Sequence, residues 1–183
     1  MKIKTFALIS TFVVFLLLGD FVSYGKVSQY SAPDFKLVNQ SGETVKLSDF
    51  KGKIVVIDWI FTRCTDVCLT QTKRFKKLQD ELKERQLFKK EVVLVSISID
   101  PKYDTPEVLD AYAEKSGADD SGWYFLTGDF LTVQKVMGDY SYYAAKRFPK
   151  PEVADRHDPD TEYTFSHQER IYIVDQDGNL AKI

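Results

Sequence analysis

The sequence lacks several residue patterns, and each absence excludes a class of protein. Only two cysteines are present, which excludes a disulfide-rich scaffold and a metal site built from four thiolates. Lysine and arginine number 25 against 27 aspartates and glutamates, so the chain lacks the basic excess of nucleic-acid-binding proteins, and we expect no nucleic-acid partner. A single long apolar stretch excludes a polytopic membrane protein. With 44% hydrophobic residues over 183 positions, the chain predicts one globular domain behind a short leader.

The leader is the N-terminal apolar stretch. Two lysines in the first four residues precede an apolar run over residues 6–18. An apolar core of about 7–15 residues is typical of a signal peptide and short for a membrane-spanning helix. Residues 1–25 are therefore predicted to be a signal peptide, with an N-terminal membrane anchor as the alternative. In both cases we expect residues 26–183 to be exported, either to a periplasm-like space or anchored with the domain on the non-cytoplasmic side.

Alternating strand and helix patterns predict the fold of residues 26–183. Residues 54–61 and 92–99 are continuous apolar runs, which are typical of central strands buried on both faces. Helical spacing and capping residues predict helices over 64–88, from 105 onwards and over 129–137. Shorter strands are predicted at 35–38, 45–47, 123–126 and 171–174, followed by a turn and a last strand. This order predicts an α/β fold with three layers, α/β/α, a central mixed sheet and an N-terminal β-hairpin.

An irregular stretch separates the last predicted helix from the strand at 171–174. Residues 139–163 are rich in tyrosine, proline and charge, and loops of that length are usually functional or poorly ordered. We expect the tyrosines at 140, 142 and 143 to pack on the core, with a partner-recognition patch as the alternative. The chain stops at Ile183 in an apparent strand, where folds of this order usually add a helix. We therefore expect either a truncated sequence or a natural short form.

Both cysteines lie directly after the first predicted central strand. Cys64 and Cys68 are four residues apart, which places their side chains on one face at the start of the predicted helix. The helix dipole favours thiolates there, and thiolates are preferred ligands of Cu(I). A disulfide between the two is an alternative, as is a pair of buried and inert thiols.

The two histidines are the remaining candidates for a metal ligand. In a parallel sheet, the strand at 171–174 lies beside the strand at 54–61, so His167 is expected to face the first turn of the cysteine helix. His157 lies in a charged part of the long loop and is expected to be solvated. A zinc site from both cysteines and both histidines is a further alternative, although this histidine spacing fits no common zinc-finger pattern.

Several ordered motifs resemble those of the Sco/SenC family, and the resemblance covers roughly residues 31–183. The matching segments are DWIFTRCTDVC at 58–68, SIDPKYDTPE at 98–107, WYFLTG at 123–128, and the FSH at 165–167 ahead of IYIVD at 171–175. The resemblance implies a thioredoxin-like fold with Cys64, Cys68 and His167 as copper ligands. It also implies that Asp100 and Asp104 serve loop architecture or partner contact.

The resemblance also implies a function. Sco/SenC proteins help to assemble the copper centre of cytochrome c oxidase, as metallochaperones or as reductants of the target's thiols. The implied ligand is copper as Cu(I), with Cu(II) left open. The implied partners are the copper-bearing subunit of the oxidase, an upstream copper donor and, for an anchored form, the inner-membrane surface. Thr65 and Leu69 depart from the family motif, which has a proline after each cysteine.

Two enzyme classes compete with copper binding. The first is an exported thiol–disulfide oxidoreductase that uses Cys64 and Cys68; general thioredoxin-like reductases, however, have two residues between their cysteines, and this chain has three. The second is a thiol peroxidase, which the segment APDF at 32–35 suggests. That chemistry needs a threonine three residues before the reactive cysteine, where this chain has Phe61.

Overall fold

Two buried parallel strands form the centre of the molecule. β3 (Ile54–Ile60) and β4 (Val92–Ser98) pair along their whole length, from Ile54 beside Val92 to Ile60 beside Ser98. Their sequences are apolar on both faces because helices cover both sides of the sheet. The structure is a computed structural model that describes residues 30–64, 67–148 and 163–181, with the backbone alone for residues 67–69.

The predicted helices and strands are confirmed, with small shifts in their bounds. Within the described residues the other elements are β1 (Lys36–Asn39), β2 (Thr44–Lys46), a 3₁₀ turn (Leu47–Phe50), α1 (Val67–Glu84), α2 (Pro106–Ser116), β5 (Trp123–Thr127), α3 (Phe130–Asp139), β6 (Ala144–Arg147), β7 (Thr164–His167), β8 (Tyr172–Val174) and β9 (Leu180–Ala181). One sheet has the strand order β2-β1-β5-β4-β3-β8-β9, and β6 pairs with β7 separately.

Helices cover both faces of this sheet. On one face, Phe75 of α1 and Leu109 of α2 pack in a buried cluster with Leu94 of β4. On the other face, Val133 of α3 packs with Val95 of β4 in a second cluster. β3 and β4 run parallel, whereas β1 pairs antiparallel with both β2 and β5. The predicted three-layer arrangement with a mixed sheet and an N-terminal hairpin is therefore confirmed.

The sequence signals that begin α2 and α3 act as predicted. The Thr105 hydroxyl accepts a hydrogen bond from the Val108 amide at 3.4 Å, and Pro106 occupies the first position of α2. α2 ends at Gly117, whose left-handed backbone (φ 67°) favours glycine. The Asp129 carboxylate caps α3 by accepting from the Thr132 amide at 3.0 Å.

Three details of the prediction are wrong. β8 lies beside β3 as expected but runs antiparallel to it, because the chain reaches β8 from the carboxyl end of β3 through the β6–β7 pair. The stretch 139–163 is not wholly irregular, since β6 lies within it and pairs with β7. Tyr140 and Tyr142 are buried as expected, whereas Tyr143 is 63% exposed.

Several predictions fall outside the described residues. These are the leader at 1–25, His157 and the end of the chain. Across the described segments, no helix combines the length and the apolar character needed to cross a membrane.

A carboxyl group is buried in the middle of β3. Asp58 is fully buried and accepts hydrogen bonds from the Ser96 hydroxyl at 2.6 Å and the Gln71 amide at 3.3 Å. Burial raises the pKa of Asp58 to about 7, and these hydrogen bonds only partly oppose the effect. The folded chain therefore holds a proton on Asp58 at pH values where the unfolded chain has released it.

We expect Asp58 to make the protein less stable as the pH rises from about 4 to about 7. In this window the folded state binds more protons than the unfolded state, so the free energy of unfolding falls with pH, by on the order of 4 kcal/mol for this group. Asp58→Asn cannot ionise and should flatten this slope. Urea unfolding at a series of pH values measures the slope in both proteins.

The same substitution at Asp110, which is exposed on α2, is the matched control and should leave the slope unchanged. Equal slopes in the wild type and Asp58→Asn would show that Asp58 has an ordinary titration.

Candidate metal site at the end of the central strand

The cysteine loop begins where β3 ends. After Ile60 the chain turns, and the Cys64 amide donates to the Phe61 carbonyl at 2.9 Å. The Cys64 side chain is half-buried at the carboxyl edge of the parallel strands. Cys68 lies in the first turn of α1 by its backbone, and its side chain is outside the described part of the chain.

His167 is supplied by the β6–β7 pair. It is the last residue of β7 and lies opposite Ala144 of β6. No strand was predicted at His167, so its location on a separate strand pair is a feature that the sequence patterns missed. The imidazole is half-buried.

The structure brings Cys64 and His167 together. Their side chains are hydrogen-bonded, and this bond is the main reason why the pKa of His167 is raised; burial of the ring opposes the effect. A thiol sulfur and an imidazole nitrogen, separated by about a hundred residues in sequence, are thus neighbours in space. The sequence predicted that His167 faces the start of the cysteine helix, and the contact with Cys64 agrees with this prediction.

Aromatic packing places the strand pair against the end of β3. The Phe61 ring meets the Phe165 ring of β7 edge-on, with centroids 5.1 Å apart. The Trp59 ring stacks on Tyr142, with centroids 4.5 Å apart and an angle of 17° between the ring planes. Because both contacts start from residues that lead into Cys64, the strand carrying His167 is positioned relative to the cysteine loop.

A second loop also holds the cysteine loop in place. The Asp104 carboxylate accepts hydrogen bonds from the Thr62 hydroxyl and from the Ser98 hydroxyl, the latter at 2.6 Å. Burial raises the pKa of Asp104 to about 6. These contacts favour the architectural role for this aspartate, one of the two roles that the sequence left open.

Arg63, directly before Cys64, is a functional candidate that the sequence alone did not indicate. Its guanidinium forms an ion pair with Asp100 at 3.1 Å and lies over the rings of Tyr103 and Tyr163, 3.9 Å and 4.6 Å from their centroids. The Tyr163 hydroxyl donates to the same Asp100 carboxylate at 2.7 Å. Arg63 therefore connects the cysteine loop, the Asp100 loop and the residue that precedes β7. No local pattern reveals such a contact, because its members are distant in sequence.

The donor set fits a soft metal ion. Thiolate and imidazole suit Cu(I), and the two side chains are already in contact. Among the described side chains, no cluster of three or more histidine, cysteine, aspartate and glutamate residues could hold a metal ion. Cys68 is outside that set, so a three-ligand site requires its thiolate. The zinc alternative depends on His157, which is likewise outside the described residues.

The fold and the site define a class of protein. A mixed sheet between helices, with a cysteine pair where the central strand passes into the first helix, is a thioredoxin-like domain, and here a histidine contacts the first of the two cysteines, Cys64. The sequence model of the SCO1/SenC family matches residues 25–183. This chain therefore belongs to the SCO1/SenC family.

Known proteins with similar sequences and structures agree with this assignment. The "SCO1 protein homolog" of Bacillus subtilis is 30% identical over 153 residues, which cover 84% of this chain and 72% of that protein. In the structure of Bradyrhizobium japonicum ScoI with copper bound, the protein is 29% identical in sequence to this chain. The two superpose with a TM-score of 0.69 over 83% of this chain and 87% of that one. BsSco, a member of the Sco family of cytochrome c oxidase assembly proteins in which a disulfide switch was identified, is 28% identical, with a TM-score of 0.65, over 86% of this chain and 84% of that one.

We expect Arg63→Ala to destabilise the protein strongly. The substitution leaves the Asp100 carboxylate, which is 3% exposed, without its cation, and breaking a buried pair in this way costs about 3 kcal/mol or more. The free energy of unfolding in urea measures the loss.

The control is Lys77→Ala, which removes an exposed ion pair with Glu81 on α1 and should cost less than about 1 kcal/mol. If Arg63→Ala cost no more than Lys77→Ala, the connecting role of Arg63 would be wrong.

Proposed function

We propose that this chain is an exported copper-binding metallochaperone that delivers copper to cytochrome c oxidase, or maintains the thiols of its copper centre, during assembly. Cys64, Cys68 and His167 are the proposed ligands. The observation that carries the proposal is the contact between Cys64 and His167, because it unites a thiol from the cysteine pair with an imidazole from a separate strand pair.

The proposed ligands suit a protein that must both hold and release its cargo. Two thiolates and one neutral imidazole bind Cu(I) with few ligands, so a thiolate of a partner can enter and take the ion over. Metal binding requires deprotonated cysteines and a neutral histidine, so protons compete with copper. Because the pKa of His167 is raised, this competition extends to higher pH than for an ordinary histidine.

The sequence and the similar proteins support a location, a cargo and partners for this chain. The apolar leader supports export, with the domain periplasmic or anchored on the non-cytoplasmic side of a membrane. Copper is bound in the ScoI structure, and BsSco belongs to a family of cytochrome c oxidase assembly proteins, which supports copper as the cargo and the copper-bearing oxidase subunit as the acceptor. An upstream donor protein is the corresponding source.

The second candidate is an exported thiol–disulfide oxidoreductase. The likeness to BsSco, with its disulfide switch, favours this alternative. Cys64 and Cys68 would then pass two electrons and two protons to a disulfide of the partner and form a disulfide between themselves. Oxidation of the pair would also remove both thiolate ligands, so redox state and copper binding are linked.

A competition titration with Cu(I) distinguishes the two functions. We expect the reduced full chain to bind one Cu(I) under anaerobic conditions in competition with a chromogenic chelator. Cys64→Ser and Cys68→Ser should each abolish tight binding, and His167→Ala should weaken it at least tenfold because a ligand is lost.

The matched control is His157→Ala, which removes the other histidine of the chain and should leave the affinity unchanged. If the wild type binds Cu(I) no better than a simple dithiol, or if His167→Ala binds as tightly as the wild type, the chaperone proposal fails. The redox potential of the Cys64–Cys68 pair is then the quantity that tests the oxidoreductase alternative.

A further inference from the structure

A tyrosine hydroxyl lies beside the histidine of the site. The Tyr142 oxygen is 3.1 Å from Nδ1 of His167 and 2.7 Å from the carbonyl oxygen of Gln168. The same Nδ1 atom is 3.1 Å from that carbonyl oxygen. One ring nitrogen of His167 is therefore surrounded by two oxygens, both of them supplied by this chain.

Counting hydrogens determines which ring nitrogen carries the proton. A phenol has one hydrogen, and the 2.7 Å distance identifies the Gln168 carbonyl as its acceptor. The Tyr142 oxygen then has only lone pairs to offer Nδ1, and the carbonyl oxygen has only lone pairs as well. A lone pair on Nδ1 would be repelled by both oxygens, so Nδ1 carries the hydrogen. In the neutral ring the lone pair is consequently on Nε2.

The hydroxyl is held rigidly with respect to the cysteine loop. Tyr142 is only 5% exposed, and its ring is stacked on Trp59, which is itself buried in β3. Trp59 lies five residues before Cys64 in the same strand and loop. The position of the hydroxyl is therefore set by the strand that also sets the position of Cys64.

We propose that Tyr142 is a positioning residue that selects the Nδ1–H form of His167 and directs its Nε2 lone pair to the metal. The inference rests on the proposed copper function and deepens it. Histidines that bind metals usually donate their other ring N–H to a fixed acceptor, which orients the ring and increases its basicity. Here the Tyr142 oxygen and the Gln168 carbonyl are the acceptors. Tyr142 does not touch the cargo; it acts through His167.

Tyr140 provides a matched control for the Tyr142 hydroxyl. It is also buried, and its ring meets the same Trp59 edge-on, at 6.2 Å between centroids. The one hydrogen of its hydroxyl, however, is donated to the Pro33 carbonyl at 2.9 Å, and not to Gln168 as in Tyr142. Tyr140→Phe thus removes a buried hydroxyl of the same aromatic cluster without altering the histidine.

The first test reads the histidine directly in the metal-free protein. The chain has two histidines, so a nitrogen-15 spectrum of the imidazoles contains two rings, and His157→Ala assigns them. At a pH where His167 is neutral, we expect the Nδ1–H form in the wild type and in Tyr140→Phe. In Tyr142→Phe, which keeps the stacked ring, the Nε2–H fraction should increase because one acceptor of Nδ1–H is gone.

The second test measures Cu(I) affinity. Losing an outer partner of a metal-bound histidine typically costs about 10–100-fold, so Tyr142→Phe should weaken binding about tenfold, whereas Tyr140→Phe should leave it unchanged. In a His167→Ala background, Tyr142→Phe should have no further effect, because Tyr142 acts only through His167.

The possible outcomes separate this inference from the proposed function. An Nε2–H ring in the wild type, or identical spectra or affinities for Tyr142→Phe and wild type, would overturn the role of Tyr142 while copper binding itself stood. Absence of Cu(I) binding in the wild type would instead overturn the proposed function, and the tautomer of His167 would still be read from the metal-free spectrum.

Discussion

The candidate site depends on the packing of the β6–β7 pair against the aromatic end of β3. Two ring contacts make this junction: Phe61 against Phe165, and Trp59 against Tyr142. Aromatic side chains bury large areas and prefer a few relative orientations, so they fix both the distance and the angle between the two units. The sheet itself supplies the cysteine loop, and this junction helps to bring His167, from the far end of the chain, beside Cys64. The same ring contacts therefore pack the core and position the side chains of the candidate site.

Two sets of polar interactions lie near this junction. One holds the cysteine loop in place, and the other joins the candidate metal ligands. Asp104 and Asp100 hold the cysteine loop through Thr62 and Arg63 and are not exposed to solvent. In the candidate site, Cys64 and His167 share a hydrogen bond, which holds the two side chains together without a metal ion. Under the proposed function, Cu(I) would replace the proton shared by these two side chains.

Local patterns predicted much of this molecule, and long-range packing accounts for what they missed. Continuous apolar runs indicate buried strands wherever they occur, so β3 and β4 were predictable, and the spacing of Cys64 and Cys68 is itself local. β6 reads AAKR, which lacks the β-branched and alternating residues that predict a strand; it is a strand because β7 pairs with it. The direction of β8 and the contacts of Tyr142 likewise depend on which distant segments the chain meets when it returns to the sheet. A local periodic pattern does not predict such contacts.

Under the proposed function, a cysteine pair and a histidine from a separate strand pair bind the same copper ion. X-ray absorption at the copper edge of the Cu(I)-loaded full chain measures those ligands directly. We expect two sulfur neighbours and one nitrogen neighbour, with the outer scattering of an imidazole present in the wild type and in His157→Ala but absent in His167→Ala. A spectrum of sulfur ligands alone, or imidazole scattering that survives in His167→Ala, would contradict this proposal.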